Sequence, residues 1–415
     1  MPRFAYLFST FPTLSTTFVQ QQVAETQELG LNPILIATRP PAEGGYHPKD
    51  DYFLQHTLYL SRIKWRYYLR ANVNALMRSP KRYFQGINIA LNRGDNFRGQ
   101  RIRNLIYLAG AAVLADYLLK KSVIHVHVHF AFGAATIAIF LNILTDISYS
   151  LSVHGSDVLL PRSLTDEKLK RALFVVANSK YMVEDIRKRF VLPARRHFYV
   201  IRYGVHTRYG PWSKPKLLSR DKPFRLLNVA RLDPIKAQDI LIKACAIIRQ
   251  KGIDFYCRIV GDGPKRKELE DLIKEFDLES HIELMGSCYQ DEVAQSYDWS
   301  QVVVLSSLSE GTPMVVVEAM AKARPVVAPN ITGIPEMITD AKTGFLFKKG
   351  SHEDLADRIT RLFEKPELME QMGREGRKRA LQIFDLERNV KKLMSVFSRE
   401  LPTLGLRPGE EITDE

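Results

Sequence analysis

The sequence predicts an α/β protein built from two doubly wound parallel sheets, and three observations lead to this fold class. Short apolar runs alternate with helical segments along the first half of the chain, as in parallel sheets covered by helices on both faces. The alternation restarts after a Gly- and Pro-punctuated stretch at residues 204–223, which indicates an interdomain linker. The length of 415 residues is long for one α/β domain and comfortable for two.

Each element is predicted from its hydrophobic period and its flanking residues. In the first half, strands are expected at residues 4–8, 33–37, 123–128, 147–153 and 173–177, with helices from about 17 to Gly30 and from near Gly133, Ser163 and Ser179. In the second half, strands are expected at residues 224–230, 255–260, 281–285, 301–305 and 325–328, with helices from near Ala237, Pro264, Asp291 and Pro313. A last helix at about 386–399 is expected to return to the first domain. These patterns predict domains at residues 1–205 and 206–385, a returning helix and tail at 386–415, and a ligand cleft between the domains at the carboxyl ends of the strands.

Composition is that of a folded globular protein, with 45% hydrophobic and 26% charged residues. The three cysteines lack metal-site spacing, so neither a disulfide framework nor a zinc site is expected, which fits a reducing cytosol. The longest apolar stretches, 105–119 and 132–144, are shorter than a membrane span, and residues 4–8 resemble a first strand more than a signal peptide. We expect a cytoplasmic protein, either free or against the inner face of the cell membrane.

The net charge of +14 is concentrated in one segment. Residues 62–121 hold 13 Lys/Arg against two acids, a surplus of +11, which predicts an anionic partner. Two amphipathic helices, with Trp65 and Met77 in the first and Phe84 in the second, interleave aromatic residues with arginines, as in helices that lie in a membrane interface. The alternative is that their apolar faces pack on the domain core and the arginines are only solvated. We expect binding to an anionic membrane surface and no nucleic-acid partner.

Two glutamates, Glu310 and Glu318, flank a predicted helix start at Pro313. The first lies on a strand-to-helix loop and the second about one and a half turns into the helix, so both can address one extended ligand. Backbone N–H groups around Gly311 to Met314 would face a phosphate or a sugar hydroxyl. For an isolated pair of glutamates, favourable placement near the helix dipole would be sufficient explanation.

Two other strand ends make a ligand site the better explanation. Arg231 and Lys236 place two cations on one loop, where they can grip phosphate oxygens. Gly261 and Gly263 follow the next strand and allow a flat ring to approach the backbone. Cations, glycines and carboxylates at strand ends are typical of a nucleotide diphosphate sugar site. The chain lacks G-x-G-x-x-G and G-x-x-x-x-G-K-[ST], which argues against NAD and ATP.

Histidines mark the carboxyl ends of two strands in the first half. His125, His127 and His129 alternate along one strand and share a face. Three interpretations of these histidines stay open: a metal site, packing in the core or cleft, and contact of His129 with the acceptor. His154 follows the strand at 147–153. Two interpretations of the loop at residues 9–17 also stay open: a plain strand–helix turn, or a loop that contacts an acceptor or a phosphate.

The motifs resemble one known family. In the second half they are Arg231…Lys236, Gly261-Asp262-Gly263-Pro264, Glu310-x7-Glu318, Gly333-Ile334-Pro335-Glu336 and Thr343-Gly344-Phe345-Leu346. In the first half they are Phe11-Pro12-x-Leu14-Ser15-x-Thr17-Phe18, His129-Phe130-Ala131, His154-Gly155-Ser156-Asp157 and Ala177-Asn178-Ser179. Together they resemble GT-B glycosyltransferases of family 4 (group 1), in the exopolysaccharide and colanic acid branch. Thr16 departs from the branch, which usually has Glu there, and the basic segment matches no family motif.

The resemblance implies a retaining transfer of sugar from a UDP- or GDP-sugar to a saccharide or lipid-linked saccharide, without a metal or other cofactor. Arg231 and Lys236 would neutralise the leaving diphosphate, Glu318 would bind the ribose, and Glu310 would hold the donated sugar. His154 would reach the sugar or departing phosphate from the first domain. The remaining donor-binding positions would be Gly261, Gly263, Gly311, Thr312, Pro313 and Met314.

Two alternatives stay open at this point. The same fold and nucleotide site could hydrolyse or epimerise a nucleotide sugar. A protein without enzymatic activity could use the basic segment to bind a polyanion, although this leaves Arg231, Lys236, Glu310 and Glu318 unexplained.

Overall fold

A computed structural model describes residues 3–92, 99–155, 163–194, 196–207, 210–213, 215–216 and 223–405. The chain forms two compact units, each with its own sheet and core. Unit 1 comprises Met1–Ile201 and Val390–Glu415, and unit 2 comprises Arg202–Asn389. Both are Rossmann-like α/β units, so the predicted fold class is confirmed.

Unit 1 contains a parallel sheet of seven strands among its described residues. The strands are β1 Arg3–Thr10, β2 Ile34–Arg39, β3 Thr57–Tyr59, β4 Val123–His129, β5 Ser148–Val153, β6 Phe174–Ala177 and β7 His197–Val200. Their order is β3-β2-β1-β4-β5-β6-β7, so the winding reverses between β1 and β4. The five strands expected from the sequence are confirmed. The short strands β3 and β7 were missed.

The helices of unit 1 cover both faces of this sheet. They are α1 Thr17–Glu28, α2 Asp51–His56, α3 Trp65–Arg78, α4 Pro80–Asn92, α5 Gln100–Lys120, α6 Gly133–Thr145, α7 Thr165–Arg171 and α8 Lys180–Arg189. Among the described residues, α5 is the one helix long and apolar enough to cross a membrane, and half of its apolar window is buried inside unit 1. Because buried Leu108, Leu114 and Leu118 belong to the same hydrophobic cluster as α6, α5 has the environment of a core helix.

Unit 2 repeats the architecture. Its strands are β8 Phe224–Val229, β9 Phe255–Val260, β10 Ile282–Gly286, β11 Val302–Val304, β12 Val326–Pro329 and β13 Gly344–Phe347. Its helices are α9 Gln238–Gln250, α10 Arg266–Glu275, α11 Gln290–Trp299, α12 Met314–Ala321, α13 Ile334–Met337, α14 His352–Glu364 and α15 Pro366–Ile383. The order β10-β9-β8-β11-β12-β13 reverses between β8 and β11, in the same way as in unit 1.

The last helix, α16 Leu386–Glu400, begins in unit 2 and continues into unit 1. Within unit 1, the ring of Phe397 packs 4.8 Å from that of Phe4, and Leu393 and Val396 are buried beside it. The predicted return of this helix is confirmed.

The units divide a few residues away from the predicted boundaries, at Ile201/Arg202 and Asn389/Val390. The reason is a backbone pairing within unit 2, where Val205 N donates to Phe384 O and Leu386 N donates to Val205 O. A Cβ on Gly204 would lie 2.3 Å from Phe384 O. This close approach keeps the start of the predicted linker inside unit 2.

The amphipathic helices of unit 1 are exposed to different degrees. In α3, the buried residues are the small Ala71 and Ala75, whereas Trp65 is 71% exposed and Met77 is 76% exposed. In α4, Ile89 and Ala90 are buried, and Phe84 is 60% exposed. Packing on the core therefore accounts for much of α4 and leaves the large apolar residues of α3 in solvent.

Candidate functional site

The candidate site of unit 2 lies where its strand order reverses. Strands β8 and β11 are neighbours, and the loops that follow them lead into α9 and α12. In doubly wound sheets, ligands bind at the carboxyl ends of strands at such a switch point. The sequence-predicted residues Arg231, Lys236, Glu310 and Glu318 lie on these two loops and on the start of α12.

Backbone hydrogen bonds fasten the loop after β8 to the loop after β9. Leu232 N donates to Asp262 O at 3.0 Å, and Lys265 N donates to Leu232 O at 3.0 Å. Gly261 has a φ of +136°, and a Cβ there would lie 2.0 Å from Ala230 O. A Cβ on Gly263 would lie 2.4 Å from Leu232 O. Glycine is therefore needed at both positions for the two loops to touch, which is a structural requirement whether or not a ligand also approaches them.

Lys236 and Glu310 form an ion pair although they are far apart in sequence. Lys236 Nζ donates to Glu310 Oε1 at 2.7 Å, and Ser307 Oγ donates to the same oxygen at 2.6 Å. The side chain of Glu310 is only 9% exposed and that of Lys236 is 24% exposed. Thr332 Oγ1 also donates to Glu310 O at 2.6 Å. Glu310 is thus fixed by three side chains at the switch point.

Arg231 has a different environment, because its side chain is 75% exposed. It pairs with the nearby carboxylate of Asp233, which also accepts backbone hydrogen bonds from Ile235 and Lys236. Asp233 therefore shapes the loop as well as holding the arginine. Because an ion pair of an exposed side chain contributes little, the guanidinium can leave Asp233 for an arriving anion at little cost.

The predicted helix start is confirmed, because α12 begins at Met314, directly after Pro313. Gly311 and Thr312 lie on the loop before it and are partly exposed. The first N–H groups of a helix have no partner within the helix, and they carry its positive dipole end. The first backbone N–H groups of α12, from Met314 onward, can therefore be presented to an anion, whereas Pro313 has no N–H group.

Glu318 lies on the second turn of α12, next to a buried tyrosine. Tyr297 Oη donates to Glu318 Oε2 at 2.8 Å. Burial raises the pKa of Glu318 to about 7, and the hydrogen bond from Tyr297 opposes that rise. Burial, followed by the nearby Glu318 carboxylate, raises the pKa of Tyr297 well above its ordinary value, so the phenol stays protonated. Glu318 consequently titrates near neutrality.

His154 follows β5 in unit 1, at the carboxyl end of that strand. Its ring stacks on that of Phe130 at 3.8 Å and lies 5.6 Å from that of His129. Burial, with a smaller contribution from His129, lowers the pKa of His154 well below its ordinary value, so its ring is neutral at physiological pH. Ser156 and Asp157 of the same motif lie outside the described residues. The role of His154 toward a ligand stays a prediction.

A comparison with known protein families finds a match over most of unit 2. Residues 212–379 match the family described as Glycosyl transferases group 1. This match covers the strands and loops that carry Arg231, Lys236, Glu310 and Glu318. Residues 212–379 of unit 2 therefore form a domain of the group 1 glycosyltransferases. The chain is a glycosyltransferase, with the two Rossmann-like units of the GT-B fold class.

Relatives of this glycosyltransferase share parts of its sequence. An uncharacterized glycosyltransferase of Methanocaldococcus jannaschii is 29% identical over 67% of this chain and 76% of its own. The putative colanic acid biosynthesis glycosyltransferase WcaL of Escherichia coli is 34% identical, over 40% of this chain and 42% of its own. The crystal structure of Anabaena HepE in complex with UDP superposes with a TM-score of 0.68 at 17% identity, covering 95% of this chain and 100% of that one. This last likeness establishes the fold.

The buried histidines of the glycosyltransferase form a ladder with serines of the next strand. His125 contacts Ser148 and Ser150 at 2.7 Å, and His127 contacts Ser150 at 2.7 Å and Ser152 at 2.8 Å. No group of three metal-binding side chains occurs in the part of the chain that the structure describes. The ladder gives His125 and His127 a packing role. His129 is also buried, and neither of its ring nitrogens has a hydrogen-bond partner among the described residues.

Sequence reasoning missed three residues that organise the site of this glycosyltransferase. Ser307 and Thr332 hold Glu310, and Tyr297 holds Glu318. Ser307 comes just before the Glu310 motif and could have been suspected as a partner. Thr332 and Tyr297 belong to other loops or helices and had no such signal.

Proposed function

We propose that this glycosyltransferase takes a sugar from a nucleotide diphosphate sugar, with UDP or GDP as the leaving group, and transfers it with retention to a saccharide or lipid-linked saccharide. The observation that carries the proposal is the Lys236–Glu310 ion pair at the switch point of unit 2, 2.7 Å between Nζ and Oε1. Arg231 lies on the same loop as Lys236, and Glu318 lies on α12, the helix that follows the loop of Glu310. The arrangement provides two cations for a diphosphate and two carboxylates for hydroxyl groups.

Each group has a task that fits its environment. Arg231 and Lys236 would bind the diphosphate, and backbone N–H groups at the start of α12 would add neutral donors. Glu318, held by Tyr297, would accept hydrogen bonds from the ribose. Glu310 would accept hydrogen bonds from the hydroxyls of the transferred sugar once the diphosphate engages Lys236.

The reaction proposed here breaks the bond between the anomeric carbon and the phosphate oxygen and forms one to an acceptor oxygen on the same face. The acceptor proton leaves with the departing phosphate. Negative charge grows on the diphosphate as the bond breaks, so cations placed there lower the barrier. We propose that Lys236 and Arg231 supply this stabilisation and that a metal ion is not required.

The names of two similar proteins support the proposed type of donor and the proposed biosynthetic role. HepE was crystallised in complex with UDP, and WcaL is named for colanic acid biosynthesis. By analogy we propose a UDP- or GDP-sugar donor and a role in exopolysaccharide or cell-surface glycan synthesis. The exposed residues of the basic segment favour an acceptor at a membrane.

The proposal is tested by calorimetric titration with nucleoside diphosphates and nucleotide sugars. We expect selective binding of one nucleoside diphosphate, weakened about 10- to 100-fold in Glu318→Ala, because a hydrogen bond to a charged group contributes about 1.5–3 kcal/mol. Glu364→Ala is the matched control, since that glutamate is exposed on α14.

Absence of binding across the whole panel would contradict the proposed donor. With the selected donor, release of free sugar at the same rate with and without a saccharide acceptor would instead identify a hydrolase, the rival activity on this fold.

We further propose that α3 of unit 1 places the enzyme on an anionic membrane surface. Its exposed apolar residues include Trp65, Leu69 and Met77, and the exposed cations Arg66 and Arg70 lie among them. Apolar side chains that enter the interface, flanked by cations that attract anionic lipid, are the two components of interfacial binding. Each such cation contributes about 1 kcal/mol near an anionic surface.

Neutralising three cations, in the variant Lys64→Gln/Arg66→Gln/Arg70→Gln, should weaken binding to vesicles of phosphatidylcholine with phosphatidylglycerol by about 10- to 100-fold at low salt. Vesicle co-sedimentation measures the effect. The variant Lys342→Gln/Lys349→Gln/Lys378→Gln removes three exposed cations of unit 2 and should bind as the wild type does. Equal losses in both variants would show that only total charge matters and would refute a role for α3.

A further inference from the structure

A cavity lies within unit 1, at the switch point of its own sheet. Its volume is about 610 Å³. Ser9 and Arg39 line it from the ends of β1 and β2, and Gly133 lines it from the start of α6 after β4. Because β1 and β4 are the strands between which the winding reverses, this is the place where a doubly wound unit binds its ligand. Apart from His154, the residues assigned above to the donor lie in unit 2.

The charge of the cavity defines the class of its ligand. Arg39, Arg103 and Lys168 line it, and no Asp or Glu is among the described residues that do so. Lys168 is buried, and its Nζ donates to Ala131 O and Ser163 O, both at 2.8 Å. Arg39 and Arg103 are exposed, with Arg39 Nε on Thr10 Oγ1 at 3.1 Å. Three cations without a lining carboxylate attract an anion.

Neutral donors converge on the same space. Helix α6 starts at Gly133, and Ala134 N already points to Ser9 Oγ at 3.4 Å. A Cβ on Gly133 would lie 2.4 Å from Tyr107 Oη, so the absence of a side chain lets this phenol reach the helix start. Within the described part of the chain, Ser163 Oγ is buried without a hydrogen-bond partner and lines the cavity. Hydroxyl groups and a helix N-terminus are ordinary ligands of phosphate oxygens.

Helix α5 connects this cavity with the exposed apolar surface. Arg103 and Tyr107 line the cavity from one face of α5, while Ile102 and Ile106 are 67% and 61% exposed on the adjacent face. Successive helical residues are about 100° apart, so these isoleucines lie on the helix face next to the one that lines the cavity. An acceptor with an anionic head and an apolar tail fits both surfaces.

We propose that the cavity of unit 1 binds the diphosphate of a lipid-anchored saccharide acceptor, with Arg39, Arg103 and Lys168 as its cations. The inference rests on the proposed function, because it assigns the acceptor of that reaction. The cavity is larger than one phosphate needs and has room for a diphosphate with part of the attached sugar.

The first arm of the test is calorimetric titration of the full chain with inorganic pyrophosphate. We expect two classes of site. Arg39→Gln/Arg103→Gln should weaken one class at least about tenfold through the loss of two charge-assisted contacts, and Lys236→Ala should weaken the other. Arg101→Gln is the matched control, since Arg101 is exposed on α5 and does not line the cavity.

The second arm compares two kinds of vesicle of equal charge, so that attraction of α3 to anionic lipid is the same in both. One contains phosphatidylcholine with phosphatidylglycerol, and in the other a polyprenyl diphosphate replaces an equal charge of phosphatidylglycerol. We expect the diphosphate lipid to increase co-sedimentation of the wild type and of Arg101→Gln, and not of Arg39→Gln/Arg103→Gln. Pyrophosphate binding that is lost in the double variant, without any effect of the lipid, would overturn the lipid anchor and leave a soluble phosphorylated acceptor. Unchanged binding of pyrophosphate in the double variant would overturn the site itself.

The experiments distinguish a failure of the cavity proposal from a failure of the proposed function. Nucleoside diphosphate binding should be equal in the wild type and Arg39→Gln/Arg103→Gln, because Arg231, Lys236 and Glu318 lie in unit 2. If nucleoside diphosphates bind and the cavity variant behaves as the wild type with pyrophosphate and lipid, the cavity proposal alone is wrong.

Discussion

Replacing Lys236 with alanine is expected to lower kcat/KM by about 10²- to 10³-fold, the usual effect of removing one group that stabilises developing charge. Lys236 lies at the switch point and is held 2.7 Å from Glu310, so its charge is already positioned before the donor arrives. The loss should appear mainly in kcat at saturating donor, since the charge on the diphosphate grows in the transition state. Steady-state kinetics with the donor identified by titration measures it.

A matched control separates this role from a general loss of charge. Lys243 on α9 pairs with Asp239 at 3.5 Å, and both side chains are about 40% exposed. Lys243→Ala should leave the kinetics unchanged, because exposed pairs of this kind contribute little. Equal turnover in Lys236→Ala and the wild type would rule out the leaving-group role.

The ion pair also predicts non-additive effects for its two members. Among the described residues, Lys236→Ala leaves Ser307 as the side-chain donor to the nearly buried carboxylate of Glu310. Glu310→Gln removes the charged partner of Lys236. The double variant should therefore lose less than the product of the two single losses. Fully multiplicative losses would mean that the two residues act independently.

Much of the fold follows from local sequence patterns. Strands such as β8 and β9 are mostly apolar runs bounded by turn residues, and helix α12 begins where Pro313 predicts. The strands β3 and β7 have three and four residues, and such short segments carry too little periodicity to be recognised. Their place in the sheet is set by pairing with β2 and β6, which is tertiary information.

The sequence predicted which residues belong to the candidate site better than it predicted the contacts between them. Strand-end loops identified Arg231, Lys236, Glu310 and Glu318, because parallel topology brings such loops to one edge. The sequence did not reveal that Lys236 pairs with Glu310, 74 positions away, or that Tyr297 holds Glu318. It also left open which faces of the basic helices are exposed, since amphipathic periodicity is the same for a face that packs on a core and for one that binds a membrane.

The second large effect concerns Glu318, whose titration should control donor binding. Its pKa of about 7 means that the carboxylate is ionised above neutral pH and protonated below it. An ionised carboxylate accepts hydrogen bonds from ribose more strongly. The affinity of the wild type for its nucleoside diphosphate should therefore fall as pH decreases through 7, and the affinity of Glu318→Gln should lack this component. Comparing the two removes the titration of the nucleotide phosphate, which is common to both.

The same pKa has the opposite effect on folding stability. A carboxyl group whose pKa rises on folding stabilises the protein fully below the unfolded pKa of about 4.5, and this contribution is lost as pH rises through 7. Glu318→Gln, which can still accept the hydrogen bond from Tyr297, should thus be more stable than the wild type at pH 8, by up to about 3 kcal/mol. The gain is smaller to the extent that water reaches the partly exposed residue.

Tyr297→Phe provides the decisive comparison, because the Tyr297 hydrogen bond lowers the pKa of Glu318. Removing the phenol should move the midpoint of pH-dependent donor binding upward, while Glu318→Gln abolishes that midpoint. Denaturant unfolding and nucleotide titration between pH 5 and about 9 would measure both properties on the same variants. If the midpoint is the same in Tyr297→Phe as in the wild type, the titrating group is not Glu318. Such a result would also contradict the proposal that the Glu318 carboxylate, whose pKa is set by burial and by Tyr297, accepts hydrogen bonds from the ribose.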